Sequence, residues 1–281
     1  MKFAKMQATG NDFILIEASE TKRDWSALAK AMCDRHFGVG ADGLILMLPS
    51  KVADIAMRFF NPDGSEAEAC GNGLRCLTRY AIDSGYAKEL AVETLGGIRR
   101  ARATGRLIQV DMGVPRFRPE EIPMLVESQV DIILDYPITI GGQKLLLTCL
   151  SMGNPHAVCF LDEPVANFPL FELGPKVETH PIFPNRVNFE VANIVGRRKV
   201  RARVWERGAG ETLSCGTGAC AIAVAAQLHN RVGSQVDVTL PGGTLTIDWN
   251  GVGQVMLSGP AELVFWGEWP DSGVDISGSG S

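Results

Sequence analysis

The chain has 281 residues, of which 46% are hydrophobic, 21% charged and 7% aromatic, a core-forming composition that excludes a disordered or collagen-like polypeptide. That length suits one large domain or two of ordinary size. Its 27 basic and 32 acidic residues leave a net charge of −5, and no basic run exceeds Arg197-Arg198-Lys199, so no nucleic-acid partner is expected.

The apolar stretches, such as 219–227, are too short to span a bilayer, and no membrane partner is expected. The N-terminal Met1-Lys2-Phe3-Ala4-Lys5-Met6 has no apolar signal core, which predicts a cytoplasmic protein. In chain order, strands are predicted at 13–17, 55–60, 90–94 and 107–112, where short apolar runs are bounded by turn residues. A helix is predicted at 26–35, capped by Asp24 or Ser26, and a second at 72–84. Pro115 and Pro119 interrupt the pattern and place a boundary near 114–119. Beyond it, strands are predicted at 145–150, 157–161, 200–205, 236–240, 245–249 and 254–257. A third helix is predicted at 217–230. Its stretch Ala219-Cys220-Ala221-Ile222-Ala223-Val224-Ala225-Ala226 is apolar on every side and so belongs in a core. The polar end, 271–281, reads as a flexible tail.

The halves echo each other. Gly10-Asn11-Asp12-Phe13-Ile14-Leu15 is matched by Gly153-Asn154-Pro155-His156-Ala157-Val158, and Ala69-Cys70-Gly71-Asn72-Gly73 by Ser214-Cys215-Gly216-Thr217-Gly218. Thr94-Leu95-Gly96-Gly97 is matched by Leu240-Pro241-Gly242-Gly243 at nearly the same offset. Two copies of one supersecondary unit follow. The expected fold is α/β of the α+β type: two pseudo-symmetric domains, each a curved mixed or antiparallel sheet around a central helix. The expected bounds are 1–114 with a return segment at about 260–270, then 115–259, then the tail.

Seven cysteines, an odd number with no Cys-x-x-Cys pair, suit free thiols in a reducing compartment. Cys33, Cys76, Cys149, Cys159 and Cys220 read as small buried hydrophobes. Cys70 and Cys215 differ, because each directly precedes a glycine-rich helix start. The first turn of a helix carries unpaired N–H donors and the positive end of the macrodipole. That favours a carboxylate there and lowers the pKa of a nearby thiol. Either cysteine alone would pass as a buried residue at a turn. Two in equivalent places suit a reaction in which one thiol removes a proton from one face of a carbon and the other returns one to the opposite face. His156 and Glu206 offer each thiol a nearby base, the histidine for one and the glutamate for the other.

These segments resemble the diaminopimelate epimerase family. The likeness is carried by Thr9-Gly10-Asn11-Asp12-Phe13, Phe60-Asn61-Pro62-Asp63-Gly64-Ser65, Cys70-Gly71-Asn72-Gly73-Leu74-Arg75, Met152-Gly153-Asn154-Pro155-His156, and Glu206-Arg207-Gly208-Ala209-Gly210-Glu211-Thr212 followed by Cys215-Gly216-Thr217-Gly218-Ala219. The resemblance implies epimerisation of LL- to meso-2,6-diaminopimelate without a cofactor or metal ion, on a small-molecule substrate, in a homodimer, with the site in a cleft between two similar domains. It implies Cys70 and Cys215 as the acid/base pair, tuned by His156 and Glu206, with Glu206 expected to work with Cys215 and His156 with Cys70. Asn11, Asn61, Asn154, Asn188, Glu206 and Arg207 would contact substrate, and the backbone at Gly71, Asn72, Gly216 and Thr217 would hold the carboxylate of the reacting centre. The chain departs from the pattern at Gly43, where some members carry Gln. A racemase of another amino acid in the same two-cysteine group, or a non-catalytic amino-acid-binding or thiol-redox protein, are the alternatives.

Overall fold

The computed structural model describes residues 1–19, 23–67, 70–126 and 130–270. The tail expected at 271–281 lies outside them, as does Ala69 of the repeat motif. The chain divides into two compact units. One comprises Met1–Ala8, Asp12–Arg100 and the segment from Ala261, and the other Thr9–Asn11 and Ala101–Pro260. None of the helices described is long and apolar enough to cross a membrane.

In chain order the elements are β1 (Lys2–Ala8), β2 (Asn11–Glu17), α1 (Trp25–Cys33), β3 (Gly43–Leu48), β4 (Ile55–Phe60), β5 (Glu66–Ala67), α2 (Gly71–Asp83), β6 (Glu89–Thr94), β7 (Gly97–Thr104) and β8 (Leu107–Asp111). There follow β9 (Ile133–Ile140), β10 (Gln143–Ser151), β11 (Pro155–Phe160), α3 (Leu170–Glu178), β12 (Asn188–Gly196), β13 (Lys199–Glu206), β14 (Gly210–Thr212), α4 (Gly216–Leu228), β15 (Gln235–Leu240), β16 (Gly243–Asp248), β17 (Met256–Gly259) and β18 (Glu262–Glu268).

In the first unit β18 pairs antiparallel with β1, β2 parallel with β3, β3 antiparallel with β4, and β4 parallel with β6 and antiparallel with β5. The parallel pairs are those whose strands are joined through a helix, because such a return needs a crossover longer than a hairpin turn. Helix α2 packs against β1, β3, β4 and β18. A core of Ile14, Ile16, Trp25, Leu28, Met32, Leu44, Leu46 and Phe60 lies under α1.

The second unit repeats this order. β10 and β11 pair antiparallel, β11 runs parallel to β12, β12 is antiparallel to β13, and β13 pairs antiparallel with β14 and parallel with β15. Helix α4 takes the place of α2 and packs against β10, β11, β12, β15 and β16. Every residue from Gly218 to Ala226 is buried, as the all-round apolar sequence requires. The strand pairing in each unit is thus mixed, and the repeat seen in three short motifs extends to the order and direction of strands.

Helix α1 is shorter than the sequence predicts. Asp24 caps it by accepting the Ala27 N–H at 2.9 Å, while the Ser26 hydroxyl donates instead to the Gly64 carbonyl at 2.7 Å. At its other end the Asp34 carboxylate accepts the N–H groups of His36 and Phe37, both at 2.7 Å, a turn that ends the helix at Cys33. The five cysteines assigned to the core are all buried.

Candidate active site

Cys70 and Cys215 are the N-cap residues of α2 and α4, each of which runs for 13 residues. Their backbones match closely, φ −129° and ψ 115° at Cys70 against φ −121° and ψ 115° at Cys215. This extended conformation turns the side chain back over the first turn, the usual N-cap geometry. Each sulfur accepts the N–H of the third helical residue, Gly73 at 3.4 Å and Gly218 at 3.3 Å. The sequence therefore builds the same thiol N-cap geometry twice, once in each unit.

The surroundings differ. Cys70 is half-buried and Cys215 buried. Burial pushes the Cys215 thiol well above its ordinary pKa, and the neighbouring Glu206 carboxylate adds to this. The Thr217 hydroxyl, 3.5 Å from the sulfur, and the Gly218 N–H pull the other way. In α2 the Asn72 carboxamide oxygen accepts from Arg75 Nη1 at 2.9 Å, and the Arg75 side chain is wholly buried. The side chain of Asn72 thus braces the helix.

In the second unit the strands bring most of the remaining expected residues together. His156 lies on β11 beside Asn188 of β12 in the parallel register. Its ring is fully buried, with Nδ1 2.7 Å from Glu190 Oε1 and Nε2 3.0 Å from Asn154 Oδ1. Burial, assisted by the Arg207 charge, holds its pKa down to about 3 against the pull of Glu206, which disfavours the imidazolium. Asn154 donates through Nδ2 to Thr217 Oγ1 at 3.3 Å. Asn188 is buried, and both ends of its amide are engaged: Nδ2 donates to the Pro155 carbonyl at 2.8 Å, and Oδ1 accepts the Arg207 N–H at 2.9 Å. Asn188 therefore fixes the backbone from which the exposed Arg207 side chain projects. Glu206 ends β13, and its Oε1 accepts from the Thr212 hydroxyl at 2.5 Å.

Asn61 and Asn11 belong to other elements. Asn61 closes the turn after β4, its Nδ2 donating to Ser65 Oγ at 2.9 Å and its N–H to the Ser65 carbonyl at 2.8 Å. Asn11 starts β2 and is grouped with the second unit. Gly43 explains the one departure from the family pattern. A Cβ there would press on the Phe59 ring and lie 2.9 Å from the Phe60 carbonyl, so a longer side chain would need Phe59 to move.

Two participants were not anticipated, Glu190 and the Thr217 hydroxyl. The one available signal for Glu190 was a single acidic residue inside the apolar run Val187-Asn188-Phe189-Glu190-Val191-Ala192. Among the described residues, no group of three or more His, Cys, Asp or Glu side chains converges as a metal site would require.

The family model described as diaminopimelate epimerase matches residues 3–118 and 148–264. A diaminopimelate epimerase of Moorella thermoacetica is 49% identical over 280 residues, covering 96% of this chain and 99% of the relative. One from Methanococcus maripaludis is 46% identical, covering 95% and 99%. Among solved structures, a probable proline racemase from Agrobacterium radiobacter superposes with a TM-score of 0.69 at 18% identity, covering 98% of this chain and 94% of that one. A hydroxyproline epimerase from Agrobacterium vitis superposes with a TM-score of 0.67 at 17% identity, covering 95% and 91%. At that identity the two structures share the fold.

Proposed function

Because the chain belongs to the diaminopimelate epimerase family, we propose that it interconverts LL- and meso-2,6-diaminopimelate by proton transfer at one α-carbon. The reaction serves lysine and peptidoglycan precursor synthesis. The observation that carries the mechanism is the pair of cysteine N-caps, alike in backbone angles and in sulfur hydrogen bonding. One thiolate removes the α-proton while the other thiol delivers a proton to the opposite face, and the roles exchange in the reverse direction. The helix starts at Gly71-Asn72 and Gly216-Thr217 supply N–H groups and partial positive charge to the α-carboxylate, where negative charge grows as the proton leaves.

Glu206 acts on Cys215 as the base that takes up or returns its proton, in keeping with its electrostatic effect on that thiol. Arg207 receives the distant carboxylate in a bidentate pair, and Asn11, Asn61, Asn154 and Asn188 complete or support the polar lining. Binding at the unreactive end of the substrate then positions the reacting carbon. Arg207→Lys keeps the charge but loses the planar fork. It is expected to raise KM about tenfold or more, the worth of a charge-assisted hydrogen bond, with a smaller change in kcat. Steady-state kinetics in both directions measures the split, and an unchanged KM would remove Arg207 from the binding role.

We read the working protein as a cytoplasmic homodimer. The exposed apolar side chains Leu263, Val264, Phe265 and Trp266 of β18 support association. Neither a racemase of another amino acid nor a non-catalytic binder is favoured, since the curated relatives carry the diaminopimelate epimerase name.

The decisive experiment is incubation with LL-diaminopimelate in D₂O. The expected products are the meso isomer and deuterium at a single α-carbon per turnover, seen by NMR and mass spectrometry. Exchange into proline or another single-centre amino acid, with none into diaminopimelate, would overturn the assignment.

A further inference from the structure

Glu190 lies outside every role assigned above, yet it sits at the head of a chain of hydrogen bonds that ends on a proposed acid/base sulfur. Its side chain is completely buried on β12, between α4 and the ring of His156. Room for it exists because residue 218 of α4 is glycine: a Cβ there would lie 3.0 Å from Glu190 Oε1 and 3.3 Å from Cys215 Sγ. The links run from Glu190 Oε1 to His156 Nδ1 at 2.7 Å and from His156 Nε2 to Asn154 Oδ1 at 3.0 Å. They continue from Asn154 Nδ2 to Thr217 Oγ1 at 3.3 Å and from Thr217 Oγ1 to Cys215 Sγ at 3.5 Å.

With a neutral imidazole, the chemistry of these groups gives the chain one direction. Asn154 Oδ1 can only accept, so His156 Nε2 carries the ring proton. In a neutral imidazole Nδ1 is then an acceptor, and Glu190 must present an O–H to it. The Asn154 amide donates to Thr217 Oγ1, and the threonine proton can then point at the sulfur when that sulfur is a thiolate. A protonated Glu190 also suits its setting. Burial raises its pKa well above the carboxylate value, the Glu206 charge adds to this, and the nearby Ala157 N–H offsets only part of it. Its second oxygen makes no hydrogen bond among the described residues, which a carboxylate would tolerate poorly.

We propose that Glu190 is a positioning residue that works as a neutral acid: by donating to His156 it sets the sense of the chain, so that Thr217 offers its hydroxyl proton to Cys215 whenever that sulfur is a thiolate. A thiolate as buried as Cys215 depends on its donors, and the chain adds Thr217 to the Gly218 N–H. The titratable groups facing this sulfur are Glu206 and Glu190, of which Glu206 alone carries charge when Glu190 is protonated, and those facing His156 are Glu190, Glu206 and Arg207. The proposal rests on the assignment of Cys215 as one of the two proton carriers.

The test uses two readouts that need no substrate, so it can fail while the epimerase assignment stands, and the reverse. The first is ¹H–¹⁵N NMR of the full chain with labelled histidine. His156 is expected as the neutral tautomer protonated at Nε2. An imidazolium, or a ring protonated at Nδ1, would overturn the proposal without any substitution. The second is the alkylation rate of Cys215, read by mass spectrometry as a function of pH in a Cys70→Ala background. Glu190→Leu removes the donor and is expected to slow alkylation near neutral pH by about tenfold or more. Glu190→Gln keeps a donor of similar shape facing Nδ1 and is expected to restore most of that loss and the His156 tautomer. Thr217→Val cuts the chain beside the sulfur and is expected to match Glu190→Leu, which covers the case in which the leucine variant does not fold. A glutamine variant as impaired as Thr217→Val would show that Glu190 acts as a carboxylate and would overturn the proposal.

Discussion

Cys70→Ala and Cys215→Ala are each expected to reduce epimerisation by at least about 10²–10⁴-fold, the usual worth of a general acid or base, while the chain stays folded. One thiol cannot serve both faces of a carbon, so the loss is expected in both directions of the reaction and in both variants. The fold should survive because each cysteine contributes to its helix mainly one long hydrogen bond, from Gly73 at 3.4 Å or Gly218 at 3.3 Å. Loss of an N-cap side chain costs about 1 kcal/mol. The destabilisation at Cys215 should be the larger, since that residue is buried within the core cluster around α4. Stereochemical assay of the product by chiral chromatography, beside thermal unfolding followed by circular dichroism, measures both quantities. Activity lost in only one of the two variants would mean that water or another side chain acts on the other face, and the two-thiol mechanism would be wrong.

Much of the site is legible in the sequence for a local reason. A cysteine followed by Gly-x-Gly and a helical run carries its N-cap geometry within a few residues, and the second occurrence turns an ordinary pattern into a paired one. Helix α4 is equally legible, because no solvent-facing stripe interrupts its apolar residues. Other features are not local. Strand β3, Gly-Leu-Ile-Leu-Met-Leu, is buried along its whole length and shows no alternation to mark it as a strand. Helix α3 carries Gly174 and Pro175, which read as loop residues, although Leu170, Leu173 and Val177 form its buried side. The division of labour among the asparagines is also hidden. Asn72 is tied to Arg75 three residues away, whereas Asn188 joins Pro155 and Arg207 across the pairing of β11, β12 and β13. Only strand register makes the second arrangement, and register depends on the whole sheet. The same holds for His156. The expected partner of His156 is Cys70, but its hydrogen bonds run to Glu190 and Asn154 and thence toward Cys215.

That difference can be settled with half-reactions. In Cys70→Ser and Cys215→Ser the hydroxyl is a far weaker acid than the thiol it replaces, so it removes protons hardly at all and returns them poorly. The intact thiol on the other face still works. With a substrate analogue that bears a leaving group on the β-carbon, removal of the α-proton is enough to expel that group, and no proton need be returned. Each serine variant is therefore expected to eliminate from one α-stereoisomer at a rate within about tenfold of the intact protein. It should lose about 10²–10⁴-fold with the other isomer, and the two variants should have opposite preferences. Release of the leaving group gives the rate directly. Glu206→Gln is expected to weaken the isomer handled by Cys215, because Glu206 is the charge that acts on that thiol. If the hydrogen-bond chain governs His156, its replacement will weaken the same isomer, whereas a partnership with Cys70 would weaken the opposite one. Should both serine variants prefer the same stereoisomer, the thiols do not stand on opposite faces of the carbon and the two-base mechanism fails.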